Sequence, residues 1–246
     1  FTQNSATVFP TTDIKGGIAV TYFDKQQNFP PIKTFSIYPE VNTILHKVLN
    51  KNFESLSEIV YSPVAYKFTQ KMHDDYPDLK SKLSKGNEFE VKTNVFDTIP
   101  EVFFDKKPDD NHEYMKILGR LNIQIRCKKY IIKDYISNNT NLDYYKVALA
   151  ESNGKGTLGE TLAEPQVLPP GEGHTQTFLT IGCFKNEFEA IATQKYISSK
   201  FARTLLGTLK ITQHNSISTW KNVPMQDFTD KSDIDWTKSI PEIDQQ

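Results

Sequence analysis

Cysteine is scarce, with two in 246 residues, and no apolar run approaches the length needed to span a membrane. Cys127 and Cys183 stand alone, without the paired spacing that a zinc site or a disulfide framework requires, so both read as reduced thiols among apolar neighbours. A net charge is also missing: 29 Lys and Arg balance 30 Asp and Glu to −1. That excludes a protein that coats nucleic acid by bulk electrostatics. The five histidines, His46, His73, His112, His174 and His214, show no metal-ligand spacing, and no Gly-x-Ser-x-Gly elbow appears. The chain starts at Phe1 with neither methionine nor a signal-peptide pattern and stops at "EIDQQ" without a capping or turn signal; it reads as a piece of something longer.

What is present is segregated charge on an ordinary globular composition, 37% hydrophobic and 24% charged, which is long enough to bury a core. From Lys116 through Arg120, Arg126, Lys128, Lys129 and Lys133 there is no acid. Lys195, Lys200, Arg203 and Lys210 form a second basic run, and acidic stretches such as "DFTDKSDIDW" lie outside both. Such segregation makes a local basic face possible on a neutral molecule.

Periodicity predicts a short strand in "GGIAVTYF" and an amphipathic helix in "PEVNTILHKVLNK", with Val41, Ile44, Leu45, Val48 and Leu49 on one stripe. Strict alternation in "LNIQIRCK" predicts a half-buried strand, with Leu121, Ile123, Ile125 and Cys127 facing in and Asn122, Gln124, Arg126 and Lys128 facing out. "YYKVALAE" and "QTFLTIGCF" read as strands. A helix begins at Asn186, with Glu189 completing a box of capping type, and carries Phe188, Ile191, Ala192, Phe201, Leu205 and Leu209 on its apolar face. Phe188, Tyr196 and Phe201 are expected in the core, and "SISTWKNVP" reads as strand or extended chain. The fold class is α+β: a mostly antiparallel sheet with one long C-terminal helix.

Two motifs suggest chemistry. "SNGKGTLGE" spaces Gly154, Gly156 and Gly159 like a dinucleotide fingerprint, yet Pro165, Pro169 and Pro170 occupy the place of the helix that would hold the pyrophosphate. A loop between strands fits better, with close backbone approach and Asn153 and Lys155 as polar tips. Asp78, Glu90 and Lys92 have a spacing compatible with magnesium-dependent nucleases, but the match is short and "LKSKLSK" reads as helical. A protein-interaction module without a DNA role is a third reading.

The segments "FPTTDIKGGIAVTYF", "GRLNIQIRCKKYIIKDYI", "YYKVALAESNGKGTLGETL" and the stretch from "HTQTFLTIGCF" to "DFTDKSDIDW" resemble the C-terminal half of a bacterial restriction-modification enzyme, of the fused type II family whose methyltransferase makes N6-methyladenine in DNA. The resemblance is dense after Tyr144 and thin between about Phe53 and Glu113. It implies that residues 1–38 are the end and linker of a methyltransferase domain, including a remnant of its sheet, and that 39–246 are a target recognition domain. The family's Asn-Pro-Pro-Tyr motif and S-adenosylmethionine loop would lie upstream of Phe1. The resemblance therefore implies no cofactor in this stretch, S-adenosylmethionine and possible magnesium in the parent chain, a cytoplasmic location, and double-stranded DNA and the upstream domain as partners.

Arg, Lys, Asn and Gln have the geometry for base edges, and lysines neutralise phosphate. The expected contacts are therefore Asn122, Gln124, Arg126 and Lys128 for reading, and Lys129, Lys133, Asn153, Lys155 and Lys210 for the backbone and loop. Thr212, Gln213, His214 and Asn215 are added just past the long helix.

Overall fold

The computed structural model describes residues 2, 4–28, 32–137 and 141–246. Its class is α+β. Among the described residues the strands are β1 (Val60–Tyr61), β2 (Lys67–Phe68), β3 (Tyr114–Leu121), β4 (Ile125–Ile132), β5 (Ile136–Ser137), β6 (Tyr145–Ala150), β7 (Gln166–Leu168), β8 (Glu172–His174) and β9 (Phe178–Phe184). They form an antiparallel sheet in the order β1-β9-β6-β7, a three-stranded sheet β4-β3-β8 in which β8 runs parallel to β3, and the small pair β2-β5.

Each large sheet owns a core. On the four-stranded sheet, Val147, Leu149, Leu179 and Ile181 point toward helices α1 (Pro39–Leu49), α2 (Glu187–Ser198) and α3 (Lys200–Gly207), and Trp220, Phe228 and Trp236 complete that cluster. Met115, Ile117 and Ile131 of the three-stranded sheet pack instead on Tyr66, Phe68, Phe96 and Phe103. Between the sheets lie only Leu118, Ala148, Leu168 and Phe178 as an apolar cluster. The stretch from β7 to β9 crosses twice between the sheets, using the Pro169–Pro170–Gly171 turn, where Gly171 has φ +79°. The prolines that ruled out a crossover helix thus end a strand and turn the chain.

The remaining space between the sheets is polar and fully buried. Tyr66 Oη donates to Asn141 Oδ1 (2.7 Å), and Asn141 Nδ2 donates to Thr180 Oγ1 (2.9 Å). Thr180 faces His174 Nε2 at 3.4 Å, and His174 Nδ1 donates to the Thr175 carbonyl at 3.0 Å. Because a carbonyl only accepts, Nδ1 carries the proton and Nε2 accepts from Thr180, so the chain of bonds is complete only with a neutral imidazole. Burial, reinforced by the Lys146 ammonium, lowers the His174 pKa to about 4 against the opposing pull of the Thr175 carbonyl. Lys146, itself fully buried, donates to the carbonyls of Leu142, Tyr144 and Pro169, and burial brings its pKa down to about 8.

Local signals held where the packing is local. The α1 helix forms as expected, burying Val41 and Leu45. Asn186 caps α2 by accepting from the Glu189 N–H at 3.0 Å, while its amide donates to the Glu189 carboxylate at 2.7 Å. Both cysteines are half-buried.

Four expectations are corrected. The long helix is two helices: Ser199 is extended (ψ 156°), and its hydroxyl caps α3 by accepting from the Ala202 N–H at 3.2 Å. Phe188, Ile191 and Phe201 are exposed rather than in the core, and Ala190, Ala192, Tyr196 and Ile197 form the buried side of α2. "SISTWKNVP" holds a 3-10 turn over Ile217–Trp220 that buries Trp220 completely, not a strand. No strand forms over residues 16–23: Ile18 makes a single bridge to Thr2, and Val20, Tyr22 and Phe23 are 74–85% exposed because no sheet edge among the described residues pairs with them. The expected remnant of a second sheet is therefore not formed there.

In the unfolded chain an ordinary imidazole takes up its proton near pH 6.5, whereas His174 resists until about 4. Stability is therefore complete above the unfolded value and falls as pH drops through that window. Urea unfolding should show a loss of about 3 kcal/mol between roughly pH 7 and pH 4 from this group. His174→Gln should be less stable at neutral pH and should lose that part of the pH dependence.

Candidate nucleic-acid interface

The stretch predicted to be one strand is the end of a hairpin. β3 and β4 pair from Tyr114↔Ile132 to Leu121↔Ile125, and Asn122, Ile123 and Gln124 form the three-residue turn between them. Asn122 and Gln124 are thus exposed turn residues rather than members of a strand face, and Arg120 comes to lie directly opposite Arg126. The turn is fixed at its base: the Asn122 N–H donates to Asp97 Oδ2 at 3.0 Å, and the Gln124 N–H to the Leu121 carbonyl at 3.2 Å.

Arg126 lies over the Phe178 ring, 5.4 Å from its centre, and donates to the Glu164 backbone carbonyl at 3.0 Å. Partial burial, then the neighbouring Arg120, lowers its pKa against the opposing pull of Glu164. Arg120 donates to the Ile123 carbonyl at 3.4 Å, and its Nε is buried without a partner. Among the described residues, neither guanidinium forms an ion pair with a carboxylate.

The other cations of the hairpin are already neutralised. Lys128 reaches Glu172 at 2.5 Å, with Lys116 3.8 Å from the same carboxylate. Alternation puts Lys129 on the core side, where it pairs with Asp105 at 2.7 Å, and Lys133 stands 3.6 Å from Glu113 at the far end. Lys128, expected to read bases, and Lys129 and Lys133, expected to meet phosphate, are thus each paired with a carboxylate of the chain itself. Two members of the second basic run are taken up by backbone carbonyls, while Lys200 is exposed. Lys195 donates to the carbonyls of Trp236 and Lys238 at 2.7 and 2.8 Å, and Arg203 to that of Gly159 at 2.7 Å.

The glycine loop does hold an anion, and the anion is its own. The Glu160 carboxylate accepts from the backbone N–H groups of Lys155 (2.9 Å), Gly156 (3.1 Å) and Thr157 (3.3 Å), and pairs with the buried Lys210 ammonium, which also donates to the Asn153 carbonyl at 2.7 Å. Successive N–H groups of this kind form an anion nest. A Cβ at Gly154 would land on that carboxylate, and one at Gly156, φ +81°, would strike the backbone of Ile211 and Thr212, so both positions need glycine. Burial pushes the Glu160 pKa up, but Lys210 and the loop N–H groups outweigh it and hold the carboxyl below its usual range. The nest is filled, so it offers no place for a nucleotide phosphate.

This arrangement removes Lys210, only 1% exposed, from the expected surface. Asn153 is removed too, because its amide donates inward to the Thr161 carbonyl at 3.0 Å. Asn215 is also buried, donating to the Ala150 carbonyl at 2.9 Å. Thr212 is half-buried. Lys155, Gln213 and His214 remain exposed and adjacent, because the Asn153 N–H donates to the Gln213 carbonyl at 2.7 Å and His214 bridges to Ser152. His214 Nδ1 donates to Glu151 Oε1 at 2.8 Å.

The hairpin end and the loop meet at one end of the molecule. Arg126 touches Glu164 and Phe178; Phe178 pairs with Ala150, and the Glu151 N–H donates to the Thr177 carbonyl at 2.9 Å. The resulting surface gathers Arg120, Asn122, Gln124 and Arg126 with Lys155, Gln213 and His214. Arg120 belonged to the basic run but not to the expected reading set; only the fold-back places it there.

The residues of the nuclease reading lie elsewhere. Asp78 sits in the 3-10 turn Pro77–Lys82, while Glu90 accepts from Gln176 Nε2 at 2.7 Å and stands 3.9 Å from Lys92. Among the described residues, no three His, Cys, Asp or Glu side chains converge to hold a metal ion, and no helix is long and apolar enough to cross a membrane. An open cavity of about 560 Å³ lies apart from the cationic surface, between α1 and residues 32–35. No family model, curated protein or solved structure matches the chain significantly.

Glu160→Gln leaves the Lys210 charge buried beside a neutral amide, so equilibrium unfolding should show a loss of about 3 kcal/mol. Adding Lys210→Met should recover part of it. Because the carboxyl is held low, its contribution in the wild type should persist at neutral pH and vanish as pH falls through its depressed value.

Proposed function

We propose that this chain is the DNA-reading module of an adenine-N6 methyltransferase and restriction enzyme. In this reading it grips duplex DNA with the β3–β4 hairpin end and the glycine loop. The observation that carries the reading is the pair of guanidiniums, Arg120 and Arg126, held side by side on a hairpin without acidic residues and, among the described residues, without an ion pair to a carboxylate. Two like charges placed together cost energy that an approaching anion relieves, and guanidinium forks suit both phosphate and guanine edges. Around them Asn122, Gln124 and Gln213 offer amides, which suit adenine, and Lys155 adds a free ammonium for a phosphate.

The resemblance to the restriction-modification family supplies the context. The methyl donor S-adenosylmethionine and the chemistry on adenine belong to an upstream domain of the same polypeptide, and this module sets where on the DNA that domain acts. A bacterial cytoplasm fits a chain with two cysteines that lack the paired spacing of a disulfide framework, and is where such an enzyme meets its substrate.

A fluorescence-anisotropy titration of duplex DNA tests the reading. The chain should bind at low salt and weaken steeply as salt rises. Arg120→Ala and Arg126→Ala should each weaken binding about tenfold and reduce the salt slope by about one where a phosphate contact is lost. Lys128→Ala and Lys133→Ala, whose partners are internal, should change affinity less than about twofold. Absence of binding by the folded chain at low salt, or equal effects from all four substitutions, would sink the reading.

A further inference from the structure

The hairpin turn is built against local preference. Asn122 (φ 50°) and Ile123 (φ 63°) are consecutive left-handed residues, and they are the chain's non-glycine residues with positive φ among those described. Asparagine tolerates this conformation; a β-branched side chain rarely does. Nor does Ile123 gain burial in exchange, since it is 61% exposed and Ile125 beside it is 60% exposed. The conformation is held by bonds around it: the Asn122 N–H to Asp97, the Gln124 N–H to Leu121, and Arg120 Nη1 to the Ile123 carbonyl. Strain kept in place by its surroundings at an exposed position points to use rather than to packing.

The surroundings indicate what the tip meets. Residues 114–133 carry Lys116, Arg120, Arg126, Lys128, Lys129 and Lys133 and no acid, and the two cations nearest the tip, Arg120 and Arg126, are those without carboxylate partners. A polyanion is therefore the complement, and an apolar, rigidly aimed side chain between two guanidiniums is the arrangement of a wedge in a base stack. We propose that Ile123, backed by Ile125, inserts between neighbouring base pairs of duplex DNA while Arg120 and Arg126 hold the flanking phosphates. This rests on the DNA-reading function proposed above and adds that the module deforms the duplex it binds. Proteins that use apolar wedges partly unstack one step and kink the helix there.

Deformation has a signature that hydrogen-bond reading lacks: a duplex already unstacked at one position costs less to open. The test compares a fully paired duplex with the same duplex carrying one central unpaired base, for the wild type, Ile123→Gly and Ile123→Asn. The wild type should prefer the bulged duplex by about tenfold, the unstacking cost being a few kcal/mol per step. Both variants accept positive φ and lack the wedge, so their ratio should fall to near one while their melting temperatures equal or exceed that of the wild type. A wild type that binds both duplexes equally, or variants that keep the preference, overturn the wedge and leave the DNA reading standing. A melting temperature lowered by Ile123→Gly overturns the strained tip on which the wedge is argued. A wild type that binds neither duplex overturns the DNA reading and the wedge together.

Discussion

The line of hydrogen bonds from Tyr66 through Asn141 and Thr180 to His174 joins the two large sheets. Each apolar core belongs to one sheet, and the apolar contact between them amounts to the small cluster around Leu118 and Phe178. Hydrophobic burial is strong but non-directional, so it would allow the sheets to slide; a chain of donors and acceptors in fixed order does not. Thr180 lies on β9 and His174 on β8, so the imidazole ties the sheet bearing the hairpin to the sheet from which the glycine loop springs. The mutual placement of Arg126 and Lys155 is set there, away from the surface where both are displayed.

A second constraint is the sorting of charge. In a nearly neutral chain, the cations available to an outside anion are those that its own acids have not taken. Glu172, Asp105, Glu113 and Glu160 take Lys128, Lys129, Lys133 and Lys210, and backbone carbonyls take Lys195 and Arg203. Arg120, Arg126 and Lys155 form no ion pair among the described residues, and contacts through Glu164 and Phe178 link the hairpin end that carries the two arginines to the segment that carries the glycine loop. The glycine loop shows the same economy: the nest that could hold a phosphate holds Glu160, so the loop is stiffened from inside and presents Lys155 from a fixed backbone.

Elements whose signals are local were legible in the sequence. The stripe of α1, the Asn186 cap and the strands β6 and β9 follow from residues within a few positions of one another. The hairpin was not legible from alternation, for a geometric reason: a three-residue turn leaves Leu121 and Ile125 paired on the same side, so the odd-even pattern runs through the fold-back unchanged. The apolar period across 187–209 likewise continues past Ser199, and only the capping hydroxyl marks the break. Burial of Lys210 and Asn215 had no local sign at all, since their partners are Glu160, Asn153 and Ala150, far away in sequence. The charged run was visible; which of its members were free depended on acids brought in from elsewhere.

The double crossing from β7 to β9 has a consequence for how the protein is made. β8 completes the three-stranded sheet only when it docks beside β3, while β7 and β9, on either side of it in sequence, must settle in the other sheet. Neither sheet can close early and wait, because the same short stretch supplies the last strands of both. Completing both sheets therefore requires contacts distant in sequence, the kind of closure that costs chain entropy before it gains contacts. A surface divided between two sheets, such as that of Arg126 and Lys155, then depends on both sheets being in place, and the stretch from β7 to β9 serves as a clasp between its halves.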